Sequence, residues 1–340
     1  MPIATTTTIN RNPTLADVVQ RLGKNNETVE IVEALNLTNE MLEDMTWVEA
    51  NNKFTHTTTI RTGLPSVTWR KLNYGVQPSK STTATVSDTC GMLEAFATVD
   101  KKLVEISGNK ESWRMTEEAP FLEAMNQTLQ RAALYGDSSK DPEQIMGFAP
   151  RFNTLSDKTA NHVNIIDAGG TGSDLTSIWL IGWGPTTVHM IYPEGSSAGI
   201  SKEDLGEEPA YDEKGGEYRV LKTHYSWDCG LTVRDWRYVV RIANISKAAL
   251  HAVPPDENTG ESHNLIDLMI KAVELVPSLS GARFAFYAGR DIRTYLRLQQ
   301  KNTRNVSLTL NEASGKNVLS FDGIPIRRVD ALTFGEKQVK

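Results

Sequence analysis

A long hydrophobic period at helical spacing falls in TEEAPFLEAMNQTLQRAALYG, Thr116–Gly136. Phe121, Leu122, Met125, Leu129, Ala132 and Ala133 recur at helical spacing and line one face. Glu123, Asn126, Gln127, Gln130 and Arg131 fill the opposite face. The pattern predicts one amphipathic helix of about 20 residues, roughly 30 Å long at 1.5 Å per residue. Thr116 suits its N-cap, and Glu117 and Glu118 suit the positive end of its dipole. Pro120 is tolerable only near a first turn, so the chain before Thr116 is expected to kink or break away. Gly136 is placed to close the helix in the left-handed conformation.

Around this helix the pattern changes repeatedly. A polar, extended arm over residues 1–13 leads into helical spacing from Thr14 to Gly23 and again from Glu27 to Met45. These segments form either a cap on their own domain or an arm that packs on a neighbouring subunit. THTTTIRT, then Gly63-Leu64-Pro65, then SVTWRKLNY read as two β-branched runs about a turn, hence a β-hairpin, with Thr82–Val86 as a returning strand. Its apolar residues (Ile60, Val67, Trp69, Leu72) are too sparse to bury both faces. A lone hairpin is marginal in water, so this one must lie on something. Met92, Leu93, Phe96, Val99, Leu103 and Val104 predict a helix over Cys90–Ile106. Residues 137–142 read as a loop and Gly147–Asn153 as a Gly/Pro turn.

From Ser177 onward β patterns dominate: SIWLIGW, Val188–Tyr192, Glu217–His224, and an irregular run from Leu231 to Ile245 that suggests a bent or bulged strand. A helix from His263 to Val276, capped by Ser262, is apolar almost all round and is expected to be central and buried. Ala282–Ala288 is a strand, Asp291–Gln300 an amphipathic helix and Val306–Leu310 a strand. Val318–Ile326 closes the chain around an Asp322-Gly323 turn. Helices and strands mix without βαβ regularity, so the class is α+β.

Charge sharpens the picture at the hairpin. Between Glu49 and Asp88 there is no acidic residue, whereas Lys53, Arg61, Arg70, Lys71 and Lys80 supply five positive charges. With a net charge of −6 overall, the rest of the chain carries −11. A basic hairpin in an acidic protein points to nucleic acid or to an acidic surface on another copy of the chain. A solvated sheet edge guarded by Lys and Arg is the plainer reading. The acidic total argues against nucleic-acid affinity over the whole surface. At 340 residues, 39% hydrophobic and 23% charged, the chain is of ordinary globular composition, with length for two or three compact units. No apolar run reaches the roughly 18 residues of a membrane span. The N-terminus lacks a signal-peptide layout, so synthesis is expected in the cytoplasm, with Cys90 and Cys229 as free thiols.

Catalytic chemistry is thin. The histidines (His56, His162, His189, His224, His251, His263) show neither helical metal-pair spacing nor a cysteine at ligand spacing. Gly169-Gly170-Thr171-Gly172 lacks the Lys-Ser/Thr of a phosphate loop, and Ser177 and Ser226 lack a nucleophile-elbow setting. Glu217, Asp228 and Asp235 could act as paired carboxylates only if the fold gathers them. No catalytic residue, cofactor or metal is assigned. The competing class is a soluble α+β enzyme or ligand-binding protein with an acidic cleft at those three residues.

Four blocks carry a resemblance: GLPSVTWRKLNYGVQPSKSTT (Gly63–Thr83), TCGMLEAFATVDKKL (Thr89–Leu103), WRMTEEAPFLEAMNQTLQRAALYG (Trp113–Gly136) and PEQIMGFAPRFN (Pro142–Asn153). Further matches lie in Ser177–Ile200, Asp228–Ile245 and Phe321–Leu332, so that roughly residues 45–332 resemble the major capsid proteins of tailed bacteriophages. The resemblance implies the HK97-like fold, with an extended E-loop hairpin over Lys53–Thr83, a spine helix over Thr116–Tyr135, and peripheral and axial domains. It divides the chain into an N-terminal arm (1–45), the E-loop hairpin (46–88), the spine-helix region (89–153) and the peripheral and axial α+β part (154–340). It implies a structural subunit that self-assembles into an icosahedral head shell around phage double-stranded DNA, which lines the inner surface without sequence specificity. Arg61, Trp69, Arg70, Lys71, Tyr74 and Lys80 are the expected inter-subunit contacts of the E-loop. Phe121, Leu122, Met125 and Leu129 are the expected packing residues of the spine helix. The short N-terminal arm departs from relatives with a large scaffolding domain, which suggests a separate scaffolding protein. A portal and a decoration protein are further expected partners. The implied location is the virion, with assembly in the host bacterial cytoplasm.

Overall fold

A computed structural model describes residues 40–106, 110–157, 159–212, 214–251, 265–302, 308–313 and 316–340. The predicted arm, the helix at 14–23, most of the helix at 27–45, and Ser262 and His263 lie outside the described residues.

In chain order the elements are α1 (Met41–Asp44), β1 (Trp47–Glu49), β2 (Thr55–Gly63), β3 (Thr82–Thr89), β4 (Gly91–Asp100), α2 (Lys101–Ile106), α3 (Lys110–Tyr135) and α4 (Phe148–Arg151). After a single 3-10 turn come β5 (Ile165–Asp167), β6 (Leu175–Trp183), β7 (Val188–Tyr192), β8 (Ser201–Tyr211) and β9 (Glu217–Val233). Another 3-10 turn precedes β10 (Val239–Ser246), α5 (Lys247–His251), α6 (Leu265–Leu275), β11 (Arg283–Ala288), α7 (Arg290–Asn302), β12 (Leu308–Ala313), β13 (Lys316–Phe321) and β14 (Ile324–Arg328). The mixed α+β class holds, and the described chain divides into two compact units.

The first unit comprises 92–128 and 199–227. Strand β9 pairs along its first part with β8 and also with β4. Val99, Leu103 and Val104 make its small core with Leu221. The N-terminal half of α3 is tied to this sheet by Glu118, a buried carboxylate that accepts hydrogen bonds from Thr223 Oγ1 at 2.7 Å, Tyr225 OH at 2.8 Å and Lys202 Nζ at 2.7 Å. Those donors offset its burial and hold its pKa below the ordinary carboxylate range.

Residues 37–91, 129–198 and 228–340 belong to the second unit, whose described part builds a larger sheet. Its strands run β12-β13-β14-β11-β6-β7, with β10 on β6 and β5, β1 on β7, and the end of β9 on β7. Strand β6 is buried along its whole length, which is why SIWLIGW reads as a continuous apolar run. Ile178 and Leu180 join the core formed with Val240, Ile242, Met269, Phe286 and Phe321. Trp179 and Trp183 point the other way, against Phe148 and Phe152, with ring centroids 5.8–6.0 Å apart.

Several expectations are corrected. The helix at 116–136 starts earlier, at Lys110, and runs through Pro120. Pro120 is exposed, so the N–H it removes from the ladder is lost on the solvent side. Gln130, expected on the polar face, is 1% exposed, because the buried face widens to Leu129, Gln130, Ala133 and Leu134 toward the C-terminus. Gly136 is not in the left-handed region. It is required instead by close approach, since a Cβ there would lie 2.4 Å from the Ile145 carbonyl oxygen and 2.5 Å from that of Ala132.

Over Cys90–Ile106 the chain is not one helix. It is the strand β4 followed by the short α2, and alternate residues of β4 turn inward, ending in buried Ala97 and Val99. Ser66–Tyr74 is not a strand; the partner of β2 is β3, in the register Thr55↔Thr89 to Gly63↔Thr82. Pro65, Gly75 and Pro78 keep the intervening loop out of the ladder. Gly147–Asn153 contains one helical turn, α4. The α6 helix buries Leu265, Ile266, Met269 and Ala272 but leaves Ile270 and Leu275 exposed, so it packs on one face only. The acidic strand β8 had no apolar signature; its charges are met by Lys101, Arg114 and Lys222.

Candidate assembly surface

The β2–β3 hairpin owes its strands to threonine-rich, β-branched sequence, and its root is firmly held. The Asn51 side chain accepts from the Thr57 N–H at 2.8 Å and donates to the Thr57 carbonyl at 2.7 Å. Lys53 takes a positive φ of 47°, and its N–H donates to Glu194 at 3.1 Å. At the other strand, Asp88 is paired with Arg151 at 2.7 Å, both largely buried. His56 lies across the ladder from Asp88 and packs edge-on against His189.

Beyond this root the hairpin opens into a long loop. Every residue from 64 to 80 is exposed. Leu64, Val67, Trp69 and Leu72 are 82–102% exposed, and Tyr74 and Val76 are also open. The loop's internal ties are few: Ser79 Oγ donates to the Ser66 carbonyl at 2.8 Å, and the Tyr74 N–H to the Lys71 carbonyl at 3.2 Å. Arg61 sits on β2 opposite Thr83, and Trp69, Arg70, Lys71, Tyr74 and Lys80 all lie on the loop, each exposed. On α3, Met125 and Leu129 are buried, and Phe121 and Leu122 are half-buried.

Sequence reasoning did not find the root cluster of His56, Asp88, Arg151 and His189, because four separate segments supply it and no local spacing marks them. Leu64 and Val76 were also missed as exposed apolar positions; each sits beside the Pro or Gly of a turn.

No catalytic constellation forms at the other candidates. Glu217 and Asp228 lie eleven residues apart along one extended strand, β9, a separation that does not make a carboxylate pair. Asp235 instead caps a 3-10 turn and pairs with Arg237 at 2.8 Å. Ser177 is buried and hydrogen-bonded to Arg241 and Glu336, with no histidine in that network. The turn at Gly169–Gly172 connects β5 to β6, two strands, without the helix N-terminus a phosphate cradle needs. Among the described residues no group of three His, Cys, Asp or Glu is placed to hold a metal ion, and no helix is long and apolar enough to cross a membrane.

Comparison with known proteins agrees with an assembly role. Residues 23–340 match the family model of the major capsid protein GP7. A chain in a cryo-EM-derived structure of bacteriophage epsilon15 is 34% identical, with 99% of each chain covered and a TM-score of 0.77. A bacteriophage JBD30 capsid chain is 10% identical over 88% of this chain and 93% of its own, at a TM-score of 0.46. No curated protein matches the chain. The fold is that of the HK97-like phage capsids. The chain therefore belongs to the major capsid protein GP7 family, and its role is that of a structural subunit that assembles with copies of itself into a phage capsid.

Proposed function

We propose that the β2–β3 hairpin with its loop at 64–81 is the element by which one subunit grips the next, through Arg61, Trp69, Arg70, Lys71, Tyr74 and Lys80. The observation that carries this reading is the exposure of Leu64, Val67, Trp69 and Leu72 on a segment that contains no acidic residue. Full burial of such a side chain is worth about 1.5–3 kcal/mol, so the free loop forgoes a large favourable term that a neighbour's surface restores. Its cations supply direction: they steer the loop onto an acidic surface and oppose wrong pairings. Repetition around a closed shell then multiplies weak contacts into a stable particle. On α3, Phe121, Leu122, Met125 and Leu129 act within the subunit, as packing residues that keep the spine helix in place.

The same proposal places assembly in the host bacterial cytoplasm and the packaged double-stranded DNA against the inner surface, held without sequence specificity. A separate scaffolding protein, a portal and a decoration protein are its further partners, and the subunit's contribution is purely structural. The test is the double substitution Arg70→Glu with Lys71→Glu. Both side chains are exposed, so fold and melting temperature should stay near those of the parent while sucrose-gradient sedimentation shows growth arrested at free subunits or single capsomers. Normal shells from the double variant would remove the loop from the assembly contact. A collapsed circular-dichroism spectrum would mean that the loop belongs to the subunit's own fold.

A further inference from the structure

The root of the hairpin holds a pair of histidines with no structural need for their polarity. His56 is 8% exposed and His189 fully buried, with ring centroids 5.3 Å apart at an interplanar angle of 89°. By hydrogen-bond geometry neither ring nitrogen of His189, nor Nδ1 of His56, has a partner among the described residues, although the Gly184 backbone is near enough to favour a proton on His189. Around them stand Asp88 on β3, Arg151 on α4, which binds Asp88, and Arg234, just after β9. Asp88 has one oxygen on Arg151 and the other, Oδ2, buried without a hydrogen bond.

We propose that His56 and His189 form an acid-sensitive latch at the hairpin root, seated while both rings are neutral and released when either takes a proton. A proton on His189 would sit in a fully buried site, facing His56 and the Arg234 cation, with the Gly184 backbone as its one polar support. A proton on His56 would draw on the spare oxygen of Asp88, in competition with the Arg151 ion pair that closes β3 onto α4. Burial, then His56 and Arg234, push His189 down to about 4, and burial lowers His56 as well, against the pull of Asp88.

The sign follows directly. In the released state the rings regain a value of about 6.5, so release binds protons. Seating is therefore fully favoured above about pH 6.5 and weakens about tenfold per pH unit below it for each proton taken up. For His189 the loss levels off near pH 4, where the seated ring itself protonates.

Hydrogen exchange on the full-length chain, as free subunits and as assembled shells, reads the latch at about pH 7.5 and about pH 5, with rates corrected for intrinsic exchange. Amides at 55–59 and 86–89 should lose about 30-fold in protection at the lower pH, the expectation for one proton over about 1.5 units, while β6 and β10 keep theirs. His189→Phe, alone or with His56→Phe, should flatten this dependence. If His189→Phe does not fold, His56→Phe carries the test with a smaller fall expected. Unchanged protection in the parent, the same fall in the variants, or an equal loss in β6 and β10 would each overturn the latch. The proposal rests on the assembly reading only for its effect on the shell. Release is read on free subunits, whereas failure of the assembly reading would show at neutral pH in the charge-reversed loop.

Discussion

The segment that closes the chain is anchored by a buried ion pair whose removal has a calculable cost. Arg241 and Glu336 face one another at 2.8 Å, with side chains only 4% and 7% exposed. Arg241 also donates to Ser177 Oγ at 3.0 Å and to the Phe152 carbonyl at 2.6 Å, and its guanidinium lies 5.0 Å from the Trp179 ring. Glu336 further accepts from Ser177 and, at 2.6 Å, from the Tyr135 hydroxyl. Burial and the Glu336 carboxylate hold that phenol well above its ordinary range, so Tyr135 remains a donor at any working pH. Glu336→Ala leaves a guanidinium buried without its counter-ion, which costs about 3–5 kcal/mol, and strips Tyr135 of its acceptor for about 1–3 kcal/mol more. Together these give about 4–8 kcal/mol, and the two neutral hydrogen bonds that Arg241 keeps place the expected loss toward the lower end of that range. Replacing both charges, Arg241→Met with Glu336→Leu, should cost less than Glu336→Ala alone, because neither ion then has to be desolvated. Urea unfolding of free subunits followed by tryptophan fluorescence measures both, with Trp179 as a reporter beside the pair. A Glu336→Ala chain within about 1 kcal/mol of the parent, or a double variant less stable than Glu336→Ala, would refute the reasoning.

Leu129→Asp places an unpaired charge on a side chain that is 2% exposed, and should cost several kcal/mol and leave the protein insoluble or unassembled; soluble chains that form normal shells would show that this face of α3 is not a packing face. Gly136→Ala sets a methyl group 2.4 Å from the Ile145 carbonyl oxygen, so thermal melting should register a loss of about 1–3 kcal/mol, and an unchanged midpoint would show that the crossing relaxes freely. Burial raises the thiols of Cys90 and Cys229, to about 11 and about 12. Both should therefore be protonated and slow toward a thiol reagent near pH 8 in the folded chain and react promptly once it is denatured; fast labelling of the native chain would contradict this.

The helix α3 was legible because its information is local: a run of apolar residues at helical spacing settles both the element and most of its buried face. The apolar run at 178–183 in β6 and the Asp322-Gly323 turn between β13 and β14 were legible for the same reason. The charge of the hairpin, with five cations and no acid between Glu49 and Asp88, could likewise be counted without coordinates, and it pointed to a partner before any fold was known. Residues 91–100 were not legible, because two periods coexist there. Met92 and Phe96 are four apart, as on a helix, while Leu93, Ala95, Ala97 and Val99 alternate, as on a strand. Only the hydrogen-bonding edge of β9, more than a hundred residues later, selects the strand. Strand β8 posed the opposite difficulty: its acidic sequence carries no apolar period, and the cations that make it acceptable on a sheet come from α2, α3 and β9. The hairpin root is the extreme case, since His56, Asp88, Arg151 and His189 mean nothing singly. Periodicity records which side of an element avoids water; which backbone edges pair, and which buried polar groups meet, depends on contacts between distant segments, and those the tertiary structure alone decides.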